Sequence, residues 1–202
     1  MARSHANSKQ IAELLYQALE TELGGVLIYQ TAIRCAVNDD LRKEWQEYLE
    51  QTKRHVQVVE RVMETLGLDS TVMTPGRQVV QNIGTSLVQA MKMAIANGDA
   101  PAAELVATEC VCLAETKDHA NWELIGHIAR QSASPEAKVL LAAYESVEQD
   151  EDHHLYHTKG WSRELWIDYL GFPAVLPPPE EIRHVETAIG ASRAEQSRQK
   201  ML

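Results

Sequence analysis

The sequence predicts an all-α protein. Apolar residues recur at steps of three and four over long stretches, no segment alternates as a strand would, and Gly, Pro and Asx clusters separate the periodic stretches. The first helix is expected from about Ser8 to Val37, where Asn38-Asp39-Asp40 stops it and caps the next. The second runs from Leu41 to Leu66 and ends at Gly67, and residues 68–76 form a loop. A third covers Arg77 to Ala96. The break NGDAP (97–101) supplies Asp99 as N-cap and Pro101 for the first turn of a fourth, which reaches Gln131. SASP (132–135) starts a fifth, expected to continue to Lys159 and past Gly160 to Tyr169. GFPAVLPPPEE (171–181) cannot be regular helix, because Pro177 to Pro179 impose an extended spacer. The expected organisation is a helical bundle over 1–170, then a proline-rich, charged arm over 171–202.

With 202 residues the chain suits one domain with a sizeable core, and with a single Phe that core must rest on Leu, Val, Ile, Ala and Met. A formal net charge of −10 argues against a nucleic-acid or anionic-membrane surface and suits the attraction of cations. No apolar run approaches the length of a bilayer span, and the start lacks the apolar stretch of a signal peptide. Cys35, Cys110 and Cys112 form a sparse, odd set that reads as reduced thiols, so a cytoplasmic location is expected. On a helix, Cys110 and Cys112 point to different faces and are no chelating pair.

The stretch VEQDEDHHLYH (147–157) holds four acids and three histidines. Helical spacing sorts them. Tyr144, Val147, Glu151, His154, Thr158 and Trp161 share one stripe, so Glu151 and His154 point inward. Asp150, Asp152, His153 and His157 fall on flanks where a solvated face is expected, and Glu148 lies one turn before Glu151. In the second helix the stripe Trp45, Tyr48, Thr52, His55, Val59 and Val62 carries His55 in its middle. The first helix places Glu22 between Leu19 and Val26, with Tyr29 beyond. The fourth gives Thr108, Cys112, Glu115, His119 and Trp122. Burying one unpaired carboxylate costs on the order of several kcal/mol. Three glutamates and three histidines on four inward faces therefore point to a pair of divalent metal ions held by Glu22, His55, Glu115, His119, Glu151 and His154.

TELGGVLIY (21–29), TKRH (52–55), Glu115 and EDHH (151–154) resemble the ferritin-like superfamily of four-helix bundles, which includes bacterioferritin, rubrerythrin and di-iron oxidases. Its pattern is a Glu on one helix and Glu-x-x-His on the next, repeated in the second helix pair. The resemblance covers about residues 8–160, and YLEQTKRHVQVVERVMETLG is also similar to bacterial stress-associated ferritin-like proteins. It implies a bundle of helices one, two, four and five, with the third in a long crossover. It also implies two metal ions, iron first, with manganese or zinc as alternatives. The implied activity is redox chemistry on dioxygen or peroxide, with Tyr29 and Tyr144 supplying a proton or an electron. No rubredoxin-type CxxC pair is present, so an external electron donor is expected.

One position departs from the pattern. The family Glu of the second helix falls on Thr52, and Glu50 faces about 200° away around the helix. His119, one turn after Glu115, is expected to compensate. If it does not, the alternative is a non-enzymatic stress or scaffold protein with a degenerate site. The arm has no core of its own, and draping it over a second copy would order it, so a homodimer is expected.

Overall fold

The computed structural model describes residues 8–131 and 133–202. Residues 1–7, at the start of the expected bundle, and Ser132, at the start of SASP, lie outside them. The described regular structure is helical: α1 (Ser8–Cys35), α2 (Asp39–Thr65), α3 (Pro75–Ala96), α4 (Ala100–Arg130), α5 (Pro135–Glu145), α6 (Glu148–Tyr169), α7 (Pro179–Ile182) and α8 (Ala188–Ser197), closed by a 3₁₀ turn at Arg198–Lys200. Among the described residues, no helix is long and apolar enough to cross a membrane.

The expected caps form. Asn38 accepts hydrogen bonds from the N–H groups of Asp40 and Leu41, and Asp99 accepts from Ala102. Gly67 takes a φ of 69°, the left-handed conformation that lets α2 end in a tight turn.

Contacts close a ring from α1 to α2, to α5 and α6, to α4 and back to α1, while α3 lies against α1 and α4. Two dry clusters fill this ring. One gathers Ile28–Ala36, Leu41–Tyr48, Ala103–Ala114, Trp161 and Leu165. The other gathers Leu15–Leu19, Val59–Met63, Trp122–Ala129 and Leu140–Val147. Each of α1, α2 and α4, and α5 followed by α6, thus leaves one cluster and enters the other, and neighbours around the ring run in opposite directions. Between the clusters lies a polar layer: Glu22 on α1, Thr52 and His55 on α2, Glu115 and Asp118 on α4, Glu151 and His154 on α6, all at most 4% exposed.

Two expectations need correction. The fifth helix is not continuous: it breaks at Ser146 and Val147 into α5 and α6. The Ser146 hydroxyl bonds back to the Ala143 carbonyl, and Val147 is buried with φ −126°. A new helix N-terminus therefore stands just before Glu148, Asp150 and Glu151, where the helix dipole favours carboxylates. The arm is not loose either. Residues 171–202 fold back on α6, burying Val175, Val185 and Ala194. Glu164, fully buried, accepts from the Val175 N–H at 2.8 Å and from Arg198 at 2.9 Å, and Arg163 forks onto Glu180 at 2.7 and 2.8 Å. Gly160 makes room for this docking, since a Cβ there would meet Glu180 at 2.5 Å. Isolated apolar residues and buried carboxylates give the arm a core borrowed from α6 of its own chain.

Candidate metal centre

Five of the six expected ligands meet in the polar layer. Glu22, His55 and Glu151 form one group and Glu115, Glu151 and His154 a second, each offering ligand atoms within 4.8 Å of one another. Glu151 belongs to both. Its Oε1 lies 3.0 Å from His55 Nδ1 and 3.7 Å from His154 Nδ1. Glu22 Oε2 is 3.8 Å from His55 Nδ1, and Glu115 Oε2 is 3.5 Å from His154 Nδ1. Atoms bonded to one ion at about 2.1 Å lie roughly 3–4 Å apart, which is the spacing found.

The hydrogen bonding points the same way. Glu22 Oε2, His55 Nδ1, Glu115 Oε2 and both oxygens of Glu151 are buried without a hydrogen-bond partner. Such atoms are rare in a folded interior and expensive to leave bare. Other polar atoms of the layer are held in place: Trp122 Nε1 donates to Glu22 Oε1 at 2.8 Å. His55 Nε2 meets Asp150 Oδ2 at 3.1 Å, and His154 Nε2 meets the Gln51 carbonyl oxygen at 2.8 Å. Gln51 in turn donates its amide to Asp150 Oδ1 at 3.1 Å. Both acceptors require the proton on Nε2, so each imidazole turns the Nδ1 lone pair toward the layer.

Burial and mutual repulsion dominate the electrostatics of the layer. Burial, then the charges of Asp118 and Glu151, pushes the Glu22 carboxyl well above its ordinary range. Burial and Glu115 do the same to Glu151, and burial with Glu151 and Glu115 to Asp118. Burial lowers the His154 imidazole, which favours its neutral, ligating form. Burial alone would raise Asp150. The hydrogen bond with His55, with Arg54 nearby, outweighs that and holds it below its usual range.

His119 is not brought to either group. Its Nε2 is bound to Asp152 Oδ1 at 2.8 Å, which raises the imidazole above its ordinary value, and its side chain is 14% exposed. The inward face of α4 passes through Val111, Glu115, Asp118, Trp122, Ile125 and Ala129, one residue around from the expected stripe. Asp118, 4% exposed with Oδ1 unpartnered, faces the layer in place of His119 but belongs to neither ligand group. Thr52 is buried and donates to the Tyr48 carbonyl at 2.9 Å, with its methyl against Gly25. Glu50 pairs with Lys53 outside the layer.

Of the two tyrosines, Tyr29 is fully buried with an unpartnered hydroxyl, pushed well above its ordinary pKa by burial and then by Glu115. Tyr144 sits farther out, its hydroxyl donating to Glu148 and its ring under Arg130. The expected solvated flank is largely engaged. Asp150 and Asp152 hold histidines, and His157 is buried against the Tyr48 hydroxyl at 3.2 Å. Gln51 and Asp118 were the residues that helical spacing alone passed over.

Among the described residues, fold and site together define a helical protein with two buried groups of carboxylates and histidine that share Glu151. No known family, curated protein or solved structure matches the chain.

Proposed function

We propose that the protein is a ferritin-like bundle whose polar layer holds two divalent metal ions, with Glu151 shared between the two ligand groups. One ion takes Glu22 and His55 and the other Glu115 and His154, with Asp118 as the fourth carboxylate. The observation that carries this reading is the convergence of five unpartnered buried atoms on two points that share Glu151. Charge agrees: four ionised carboxylates match two dications, whereas without cations the same acids repel one another in a dry interior. Mixed imidazole and carboxylate donors suit iron, manganese or zinc.

Glu22, His55, Glu115, Glu151 and His154 would hold the ions, and bound iron or manganese would supply two-electron reduction of hydrogen peroxide to two waters with two protons, the electrons being restored by an external donor. The chain's own residues set the stage. Asp150 and Gln51 orient the imidazoles, Trp122 fixes Glu22, and the two apolar clusters exclude water. Tyr29, beside Glu115, holds a proton at its hydroxyl next to the layer.

The test is metal analysis of protein purified without added metal and after anaerobic loading with iron, manganese or zinc. Two ions per chain in the native protein, and loss of both on Glu151→Gln, are the expected outcome. Absence of stoichiometric metal under every loading condition would falsify the reading. Thr52 favours a second reading, a stress or scaffold protein with weak metal retention, because its hydroxyl is bound to backbone. Micromolar metal affinity with no uptake of dioxygen or peroxide would select it.

A further inference from the structure

A cavity of about 340 Å³ opens beside the polar layer, between α4, α5, α6 and the start of α8. Its wall carries His119 and Glu123 from α4, Glu148, Glu151 and Asp152 from α6, and Glu186 from the arm. Glu151 is 1% exposed, has both oxygens without a hydrogen bond, and lines this cavity while belonging to both ligand groups. One side chain thus joins the outer space to the candidate centre.

We propose that this cavity is the route by which divalent cations reach the centre, with the His119–Asp152 pair as the transit station. The proposal rests on the dinuclear reading and adds to it. Aqueous dications must shed water in steps, and oxygen donors spaced along a passage replace that water one ligand at a time. The carboxylates of Glu123, Glu148 and Glu186 concentrate cations at the mouth, as a negatively lined cleft with low-dielectric walls does. Inside, Asp152 and His119, 2.8 Å apart, offer one oxygen and one nitrogen before Glu151. His119 Nδ1, 3.8 Å from Glu123 Oε2, links mouth to station. The arm forms the outer rim through Glu186–Ile189, and Glu186 is tied to α6 by Gln149 at 2.6 Å. This accounts for a histidine that faces neither solvent nor either ligand group.

The experiment is stopped-flow uptake of Co²⁺ by the full, metal-free chain, read from visible absorption, with final stoichiometry measured separately. Glu123→Gln/Glu148→Gln and His119→Ala are each expected to load about tenfold more slowly and to reach the wild-type endpoint. Glu60→Gln/Glu64→Gln, which removes two exposed charges elsewhere on α2, is expected to load at the wild-type rate. Unchanged rates in the cavity variants overturn the route, and so does equal slowing in the α2 control. A lower endpoint in His119→Ala overturns the transit role and makes His119 a resident ligand. A wild-type chain that takes up no Co²⁺ fails earlier, at the dinuclear reading.

Discussion

Asp150 Oδ2 lies 3.1 Å from His55 Nε2, and through Gln51 the same carboxylate also governs His154. One aspartate therefore fixes the tautomer of both imidazoles. Asp150→Ala is expected to weaken binding at both sites by about 10–100-fold. Gln51→Ala should act chiefly on the His154 site. Competition against a coloured chelator measures both, and equal wild-type affinity in Asp150→Ala would remove this role.

Asp118 is a buried acid facing Glu22, Glu115 and Glu151. Its replacement by Asn removes a like charge from the dry layer. The metal-free protein should gain about 1–2 kcal/mol in urea unfolding. Metal should then stabilise the variant less than it stabilises the wild type. A destabilised metal-free variant with unchanged metal response would contradict the assignment.

Much of the centre was legible because helical spacing carries it. Glu22, His55, Glu115, Glu151 and His154 occupy inward positions of long periodic helices, and burial follows from the period. The fourth helix misled because two stripes compete there. Cys112, His119 and Gly126 lie seven residues apart, and so do Val111, Asp118 and Ile125. The larger apolar pair, Val111 and Ile125, marks the inward face. A histidine drew the choice to the wrong stripe. The break at Ser146 left no Gly or Pro to announce it. The docking of the arm depends on single buried contacts such as Val175 and Glu164, which have no period to read.

Under the arm, Trp161 Nε1 donates to Glu44 and Glu181, each at 2.5 Å. Glu181 is pushed up to about 8, by burial first and then by Glu44. Tyr48 from α2, His157 from α6, and Glu180 and His184 from the arm complete its surroundings. The raised carboxyl stabilises fully below the unfolded value near 4.5 and loses its contribution as pH rises through about 8. Urea midpoints of wild type and Glu181→Gln should agree at pH 5 and separate by pH 8.5, with the variant more stable. A gap that does not change with pH rules this out.

Deleting residues 173–202 strips Glu164 of the Val175 N–H and Arg198 and leaves it on α6 with Arg163 as its remaining partner. The loss should be about 2–3 kcal/mol, or roughly 4–12 °C in Tm. Sedimentation of both forms separates this effect from association. Equal association states fit an arm that serves its own chain. A shift to lighter species on deletion would mean that the arm also reaches a second copy.

The two dry clusters have a consequence for how the protein changes over generations. Each half of the bundle closes its own core, so the layer between them is not needed to hold the helices together. Replacing buried acids and imidazoles by apolar residues of like volume is often neutral or stabilising. The polar layer can therefore change its side chains while the packing of the helices persists. The two cores set the shape, and the single storey between them is free to take up a different chemistry.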